Sequence, residues 1–158
     1  MLGRLGRLRR WLGRRGSIAA RRTLEGALAW RETRNLLEDL ASELAAALAD
    51  GTLPASLTVA QVWVQEDGRA QLADLPLTAT PPEEDGGGTG QPRALNLLAR
   101  ALVLALEGQP RPAGAAASPL RATLPADARA ACERLLEIGG TYDTVEQFLA
   151  ALQPTAER

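Results

Sequence analysis

One carboxylate, that of Asp74, follows two short apolar runs that are separated by turn-forming residues. The runs are Leu57–Val64 and Ala70–Leu75, and Gly68 between them is able to adopt the positive φ of a tight turn. This pattern predicts a small β-hairpin whose open end carries Asp74, Leu75 and Pro76. A carboxylate at that place can bind a metal ion, or it can cap the next loop by accepting hydrogen bonds from backbone N–H groups.

Other side chains that commonly carry chemistry are missing from the chain. It contains no histidine and no lysine, and all 18 of its basic residues are arginine. The composition therefore excludes a histidine-based triad, an imidazole metal site, a Schiff base and a lysine that anchors phosphates. Cys132 is the only thiol and lies within a helical apolar pattern, so we predict a buried cysteine rather than a nucleophile. No catalytic residue is assigned.

Charge is distributed very unevenly along the chain. Residues 1–22 contain eight arginines and no acid, whereas the remainder contains 10 arginines and 19 acids and so has a net charge of −9. This asymmetry predicts a basic tail joined to an acidic domain. Within the tail, apolar residues recur at helical spacing between arginines, a pattern typical of a helix on an anionic membrane surface. The residues of this stripe are Leu2, Leu5, Leu8, Arg9, Arg10 and Trp11.

Two interpretations of this tail remain open. It can be a plain basic extension, or it can tether the protein to a membrane surface, and the four glycines within residues 1–16 weaken any helix there. We expect no nucleic-acid binding, because aromatic side chains do not alternate with the arginines. No apolar run is long enough to cross a bilayer, and the N-terminus lacks the apolar block of a secretory signal. We therefore expect a cytoplasmic protein, with membrane association through residues 1–22 as the alternative.

The rest of the chain predicts a mainly helical α+β domain. Apolar residues make up 46% of the sequence and aromatic residues only 3%, so the core must consist largely of Leu, Ala and Val. Helical periodicity predicts helices over residues 32–50, 93–107, 124–137 and 145–152. The domain is predicted to span residues 23–153, with flexible loops at 78–92 and 109–118, and a short tail at 154–158.

Local signals refine these helices. Gly51 is suited to end the first helix, and Arg34, Glu38, Asp39 and Glu43 are assigned to its more hydrated face. The second helix is apolar on nearly all sides and should be the central buried one. Thr123 is predicted to cap the third helix, and Thr144 with Gln147 forms a capping box at the start of the fourth.

Three segments in this order resemble the C-terminal lobe of bacterial Ser/Thr protein kinases over about residues 32–153. The segment VWVQEDGRAQLAD (62–74) resembles the family's hairpin that ends at its magnesium-binding aspartate. LLARALVLALEG (97–108) is similar to the family's central helix, and GTYDTVEQFLAAL (140–152) to its last helix. The resemblance implies the helical kinase C-lobe without an N-lobe, and it makes Asp74 a vestigial metal and nucleotide ligand.

This sequence departs from the kinase catalytic pattern at each of the other positions. The resemblance places Ser56 where the catalytic base stands, Thr58 at the following lysine and Gln61 at the second metal ligand. Leu75 and Pro76 replace the Phe and Gly after the aspartate, and Ala94 replaces an aspartate of the central helix. Phosphoryl transfer depends on several positioned charges, which one surviving carboxylate does not supply.

These departures favour a protein that acts by binding, with no cofactor. We expect a pseudokinase-like regulatory module whose partner is another polypeptide, such as one that carries a kinase N-lobe, bound around Asp74, Leu75 and Pro76. One alternative is a fragment or subunit of a protein kinase that keeps residual ATP and magnesium binding. The other is a helical adaptor held on a membrane surface by residues 1–22.

Overall fold

The computed structural model describes residues 16–17, 27–54, 57–64, 69–72, 90–109, 111 and 119–153. This part of the chain is mainly helical with a small antiparallel sheet, as the sequence predicts. In chain order its elements are β1 (Gly16–Ser17), α1 (Trp30–Asp50), a 3-10 turn (Val59–Gln61), β2 (Val62–Val64), β3 (Ala70–Leu72), α2 (Gly90–Glu107), α3 (Ala126–Leu135) and α4 (Val145–Leu152).

Helix α1 forms where the first helical pattern predicts it and begins two residues earlier. The Glu32 carboxylate accepts a hydrogen bond of 3.1 Å from the backbone N–H of Ala29, which satisfies one N–H that the helix itself leaves unpaired. Gly51 ends the helix with φ 69°, a left-handed conformation that glycine adopts without steric cost. The predicted end of α1 is therefore confirmed.

Helix α2 is the central buried helix that its apolar sequence predicts. All six residues from 101 to 106 are buried, so this part of the helix is covered on every side. Helix α1 packs against both α2 and α4, and α3 packs against α2 and α4. The backbone N–H of Leu28 donates to the carbonyl of Ala105 over 2.7 Å, which fixes the chain entering α1 to the last turn of α2.

The start of α2 differs from the expectation. The loop predicted at 78–92 is too long at its C-terminal end, because α2 begins at Gly90 rather than at Arg93. Pro92 is tolerated there because the first-turn N–H groups of a helix have no intrahelical partner. A Cβ on Gly90 would lie 2.5 Å from a methyl group of Leu48, so the absence of a side chain allows α2 to start close against α1.

Helix α3 is shorter than predicted at both ends. Pro125 occupies the N-cap with ψ 150°, and no side chain caps the helix, so the predicted Thr123 cap is wrong. A proline disfavours helical geometry in the residue before it, which excludes Leu124 from the helix. At the other end Glu137 adopts φ 63°. The N–H of Ile138 returns to the carbonyl of Glu133 over 2.8 Å, and α3 ends at Leu135, two residues before the predicted end at residue 137.

Helix α4 begins with the predicted cap. The Thr144 hydroxyl accepts a hydrogen bond from the N–H of Gln147, and the Gln147 side chain in turn accepts one from Asp143. A further bond joins α4 to α2, because the N–H of Val145 donates to the side-chain Oε1 of Gln91 over 2.9 Å. Backbone N–H groups at the start of α4 therefore have hydrogen-bond acceptors both from the local sequence and from the central helix.

The sheet contains the predicted hairpin and adds a third strand, but the first strand is shorter than the apolar run 57–64, because Val59–Gln61 form a 3-10 turn. Strands β2 and β3 pair antiparallel with Val62 opposite Leu72 and Val64 opposite Ala70. Strand β1 lies on the other side of β2, with Gly16 opposite Val64. Gly16 and Ser17 fall inside the segment predicted as a basic tail, so a single hairpin understates the sheet. Two residues carry too little period-2 pattern to be recognised as a strand.

We predict that Glu137→Gly increases the free energy of unfolding by about 0.5–1 kcal/mol. Glu137 is an exposed residue other than glycine in the left-handed region, where a Cβ is unfavourable. Urea denaturation of the variant and of the wild type measures the change. Glu137→Ala keeps the Cβ and is the matched control; an equal effect of both substitutions would contradict a backbone origin.

Candidate functional site

The residues of the predicted open end of the hairpin lie outside the described part of the chain. This applies to Asp74, Leu75, Pro76 and Ser56, and to the membrane-surface stripe Leu2, Leu5, Leu8, Arg9, Arg10 and Trp11. Their proposed roles stay predictions. The structure does describe β2, β3, the 3-10 turn before them and the two helices that hold them, and these elements determine where the hairpin is placed.

The hairpin is attached to the bundle by one of its faces. Val62, Val64 and Ala70 are buried in the core together with Leu57, whereas Trp63 between the two valines is only partly buried. This alternation is expected, because successive strand residues point to opposite faces. Trp63 and its cross-strand partner Gln71 therefore lie on the face that points away from the bundle.

Two carboxylates of α1 bind the backbone of β3. The N–H of Ala70 donates to Asp39 Oδ2 over 3.2 Å, and the N–H of Leu72 donates to Glu43 Oε2 over 2.7 Å. An edge strand normally leaves such N–H groups open to another strand. Here charge-assisted hydrogen bonds from a helix cover that edge and fix β3 beside α1.

The match between the two elements follows from their spacing. Residues four apart on a helix are separated by about 6 Å along its axis, and residues two apart on a strand by about 6.7 Å. Asp39 and Glu43 therefore present two acceptors at nearly the separation of the outward N–H groups of Ala70 and Leu72. We expected both acids on the hydrated face of α1. Their i,i+4 spacing places them on the same side of the helix, and this is the sequence pattern that indicates a shared partner.

Two described residues that the kinase resemblance places in a catalytic loop lie at the 3-10 turn: Thr58 precedes the turn as its N-cap and Gln61 is its last residue. Gln61 Oε1 accepts a 2.8 Å hydrogen bond from the backbone N–H of Thr58, and the N–H of Gln61 donates to the Thr58 carbonyl over 3.1 Å. Gln61 is 2% exposed and Thr58 is 1% exposed. The carboxamide oxygen of Gln61 is therefore engaged in closing a buried turn.

The Thr58 hydroxyl does not share in that turn. Its oxygen is buried and has no hydrogen-bond partner among the described residues. A neutral hydroxyl carries no charge to place on a phosphate, and burial removes it from solvent. Neither Thr58 nor Gln61 is thus presented as a ligand.

Helix α2 anchors the loop that precedes this turn. Arg93 Nη2 donates a 2.7 Å hydrogen bond to the backbone carbonyl of Pro54. The neighbouring Ala94 is fully buried and offers no polar atom beyond its backbone. An arginine donor thus fixes a loop carbonyl beside the position where the resemblance would place an aspartate acceptor.

Cys132 is placed as the sequence predicts, inside the helical core. The side chain is fully buried on α3. Burial raises the pKa of its thiol to about 12, and the nearby Glu133 carboxylate acts in the same direction. The thiol is therefore protonated at neutral pH, which opposes a nucleophilic role.

A separate open cavity of about 210 Å³ lies where α1, α3 and α4 meet. Its polar lining includes Arg34 and Asp127, but Arg34 already forms an ion pair with Glu38 at 2.9 Å. Among the described residues, no group of three or more potential metal ligands comes together here or elsewhere. The cavity thus adds no catalytic set to the molecule.

Comparison with protein-family models finds no match, and comparison with curated proteins finds no matching relative. None of the helices described by the structure combines the length and the apolar character needed to cross a bilayer. The functional interpretation therefore depends on the geometry of the hairpin, its preceding turn and the sequence around them.

We predict that Asp39→Ala and Glu43→Ala each lower the free energy of unfolding by about 1–2 kcal/mol, because each leaves a strand N–H without its charged acceptor. The amides of Ala70 and Leu72 should lose hydrogen-exchange protection in the respective variants. Ser42→Ala, at the exposed position between the two acids, is the control and should change stability by less than about 0.5 kcal/mol. Unchanged exchange at both amides would contradict the role of the carboxylates.

We predict that Cys132 contributes to a loss of stability in alkali. Its pKa is raised in the folded state, so its contribution is fully present below about pH 9 and is lost as the pH rises toward about 12. The free energy of unfolding should fall by on the order of 1–3 kcal/mol more in wild type than in Cys132→Ala between pH 8 and pH 11. The pKa of Tyr142 is also raised by burial, and that residue is common to both proteins. Parallel pH profiles would refute the contribution of the thiol.

Proposed function

We propose that this chain is a non-catalytic, pseudokinase-like C-lobe that acts by binding another polypeptide. The observation that carries the proposal is the engagement of Gln61. Its carboxamide oxygen accepts the Thr58 N–H in a buried turn, so the position at which the resemblance expects a second metal ligand has a structural use. Phosphoryl transfer requires that ligand together with a base and a phosphate-binding cation.

The order of elements supports the kinase-like part of the proposal. A long helix precedes a short turn and an antiparallel hairpin, and a buried central helix and two shorter helices follow. Arg93 and Pro54 add a contact between the central helix and the loop ahead of the hairpin. These features agree with the order in which the three resembling segments occur along the sequence.

Polypeptide binding is proposed for the open end of the hairpin at Asp74, Leu75 and Pro76. β3 runs in the same direction as α1, since Ala70 is held by Asp39 and Leu72 by the later Glu43. The hairpin is thus held firmly two residues before Asp74. A partner that supplies a kinase N-lobe would place its surface against this end and against the outward face that bears Trp63.

Titration calorimetry of the full chain with ATP and Mg²⁺ tests the absence of catalytic ligands. We expect no binding tighter than the millimolar range, because one carboxylate without a phosphate-binding lysine provides too few charged contacts. Asp74→Ala is the matched variant and should behave as the wild type does. Micromolar, magnesium-dependent binding that Asp74→Ala abolishes would overturn the proposal in favour of residual nucleotide binding.

Light scattering after size exclusion, together with an apolar fluorescent dye, tests for an uncovered binding surface. We expect the pure chain either to self-associate or to bind the dye, and Leu75→Ser should reduce that signal because it removes apolar surface at the proposed site. A cooperatively folding monomer that binds no dye would count against the binding function.

A further inference from the structure

We infer that the side of β2 opposite β3 is a binding site for an extended, arginine-rich polypeptide segment, and that Gly16 and Ser17 of the same chain occupy it in the structure. This inference rests on the proposed binding function and names the chemistry of a partner. The partner would add antiparallel to β2 in the place of β1.

The two edges of the hairpin are covered in different ways. On the β3 side, Asp39 and Glu43 accept the outward N–H groups, so a further strand has no free donors to use at Ala70 and Leu72. On the β2 side the described residues that cover the hairpin are the two of strand β1. An incoming strand can therefore pair with the hairpin on the β2 side by replacing β1, whereas the N–H groups of Ala70 and Leu72 already have acceptors.

The register identifies the backbone groups that recognise the added strand. Since Ala70 and Leu72 direct their N–H groups toward α1, the hydrogen-bonded pair between β2 and β3 is Trp63 with Gln71. The groups of Val64 then point to the opposite side, where Gly16 lies directly across from it. Gly16 and Val64 form the hydrogen-bonded pair between β1 and β2.

A two-residue strand is a weak cover. It supplies about one pair of backbone hydrogen bonds, each of modest net strength in water. A segment that pairs over more residues, or one present at high local concentration, can displace it. This property distinguishes β1 from the permanent cover that α1 gives to β3.

Charge indicates which segments fit the edge. Strand β1, which lies beside β2 in the structure, comes from a stretch of 22 residues with eight arginines and no acid. The rest of the chain has a net charge of −9. Arg14 and Arg15 directly precede β1, while Glu66 and Asp67 follow β2 by two and three residues. The described residues that these charged sequences adjoin along the chain, Gly16 and Val64, lie opposite each other in the antiparallel pair. An incoming segment therefore gains from arginines on the N-terminal side of its pairing residues.

The test uses the full chain and a labelled peptide of residues 10–22, which contains five arginines. Gly16→Pro removes the N–H that β1 donates to β2 and should free the edge. We expect the peptide to bind Gly16→Pro about tenfold more tightly than it binds wild type, and less tightly as salt is added. Ser17→Ala keeps the backbone donor and should behave as wild type does.

Hydrogen exchange at the Val64 amide gives a second, local readout. Its exchange should be about tenfold faster in Gly16→Pro than in wild type, and the peptide should slow it again. Equal peptide affinity for the variant and the wild type, equal binding of a scrambled peptide, or an unchanged Val64 amide would each overturn the inference. Dimerisation of Gly16→Pro in light scattering would overturn it in favour of a second copy of this chain. None of these results bears on nucleotide binding at Asp74, so the proposed function and this inference can fail separately.

Discussion

The hairpin depends on its attachment to α1. Three residues per strand do not make a stable sheet in water, so its position must come from elsewhere in the molecule. Asp39 and Glu43 fix the position of the hairpin on one side by accepting hydrogen bonds from two strand N–H groups. Val62 and Val64 fix it on the other side, because they are buried in the core. Because helix i,i+4 spacing nearly equals strand i,i+2 spacing, two carboxylates suffice to orient the strand and to close its edge. The 3-10 turn leads directly into β2, so its end is fixed by the same attachment.

The central helix α2 connects this attachment to the rest of the bundle. Its buried segment packs against α1, Arg93 holds the loop at Pro54, and Gln91 caps the start of α4. Helix α2 thus contacts both the loop before the 3-10 turn and the start of α4. At the two described positions that the kinase resemblance assigns to a catalytic loop, the Gln61 side chain closes its own turn, and the Thr58 hydroxyl is buried without a partner among the described residues. This arrangement is consistent with the proposed non-catalytic function.

Much of the fold follows from local sequence, and the misses have specific physical causes. The interior of each helix was predictable because leucine and alanine recur at helical period, and Gly51 and Thr144 marked ends through their own backbone and side-chain chemistry. The start of α3 was missed because the effect of Pro125 on Leu124 outweighed the Thr123 signal. Strand β1 and the β3-binding role of Asp39 depend on contacts between residues about 30 or more apart in sequence. No local pattern contains that information. For the candidate site, the position of the hairpin could be predicted from the sequence. The hydrogen bond between the Gln61 side chain and the Thr58 N–H became visible only in the structure.

The most direct test of the central claim is the nuclear magnetic resonance signal of the Gln61 side-chain amide. A nitrogen-15-labelled full chain is titrated with Mg²⁺ and then with ATP, and the Thr58 backbone amide is followed in the same spectra. We predict that both signals stay unchanged at millimolar concentrations and that the Thr58 amide remains protected from exchange, because Gln61 stays in its turn. Coupled shifts of both signals, with loss of protection at Thr58, would show Gln61 leaving the turn to bind a ligand and would contradict a purely structural role for its side chain.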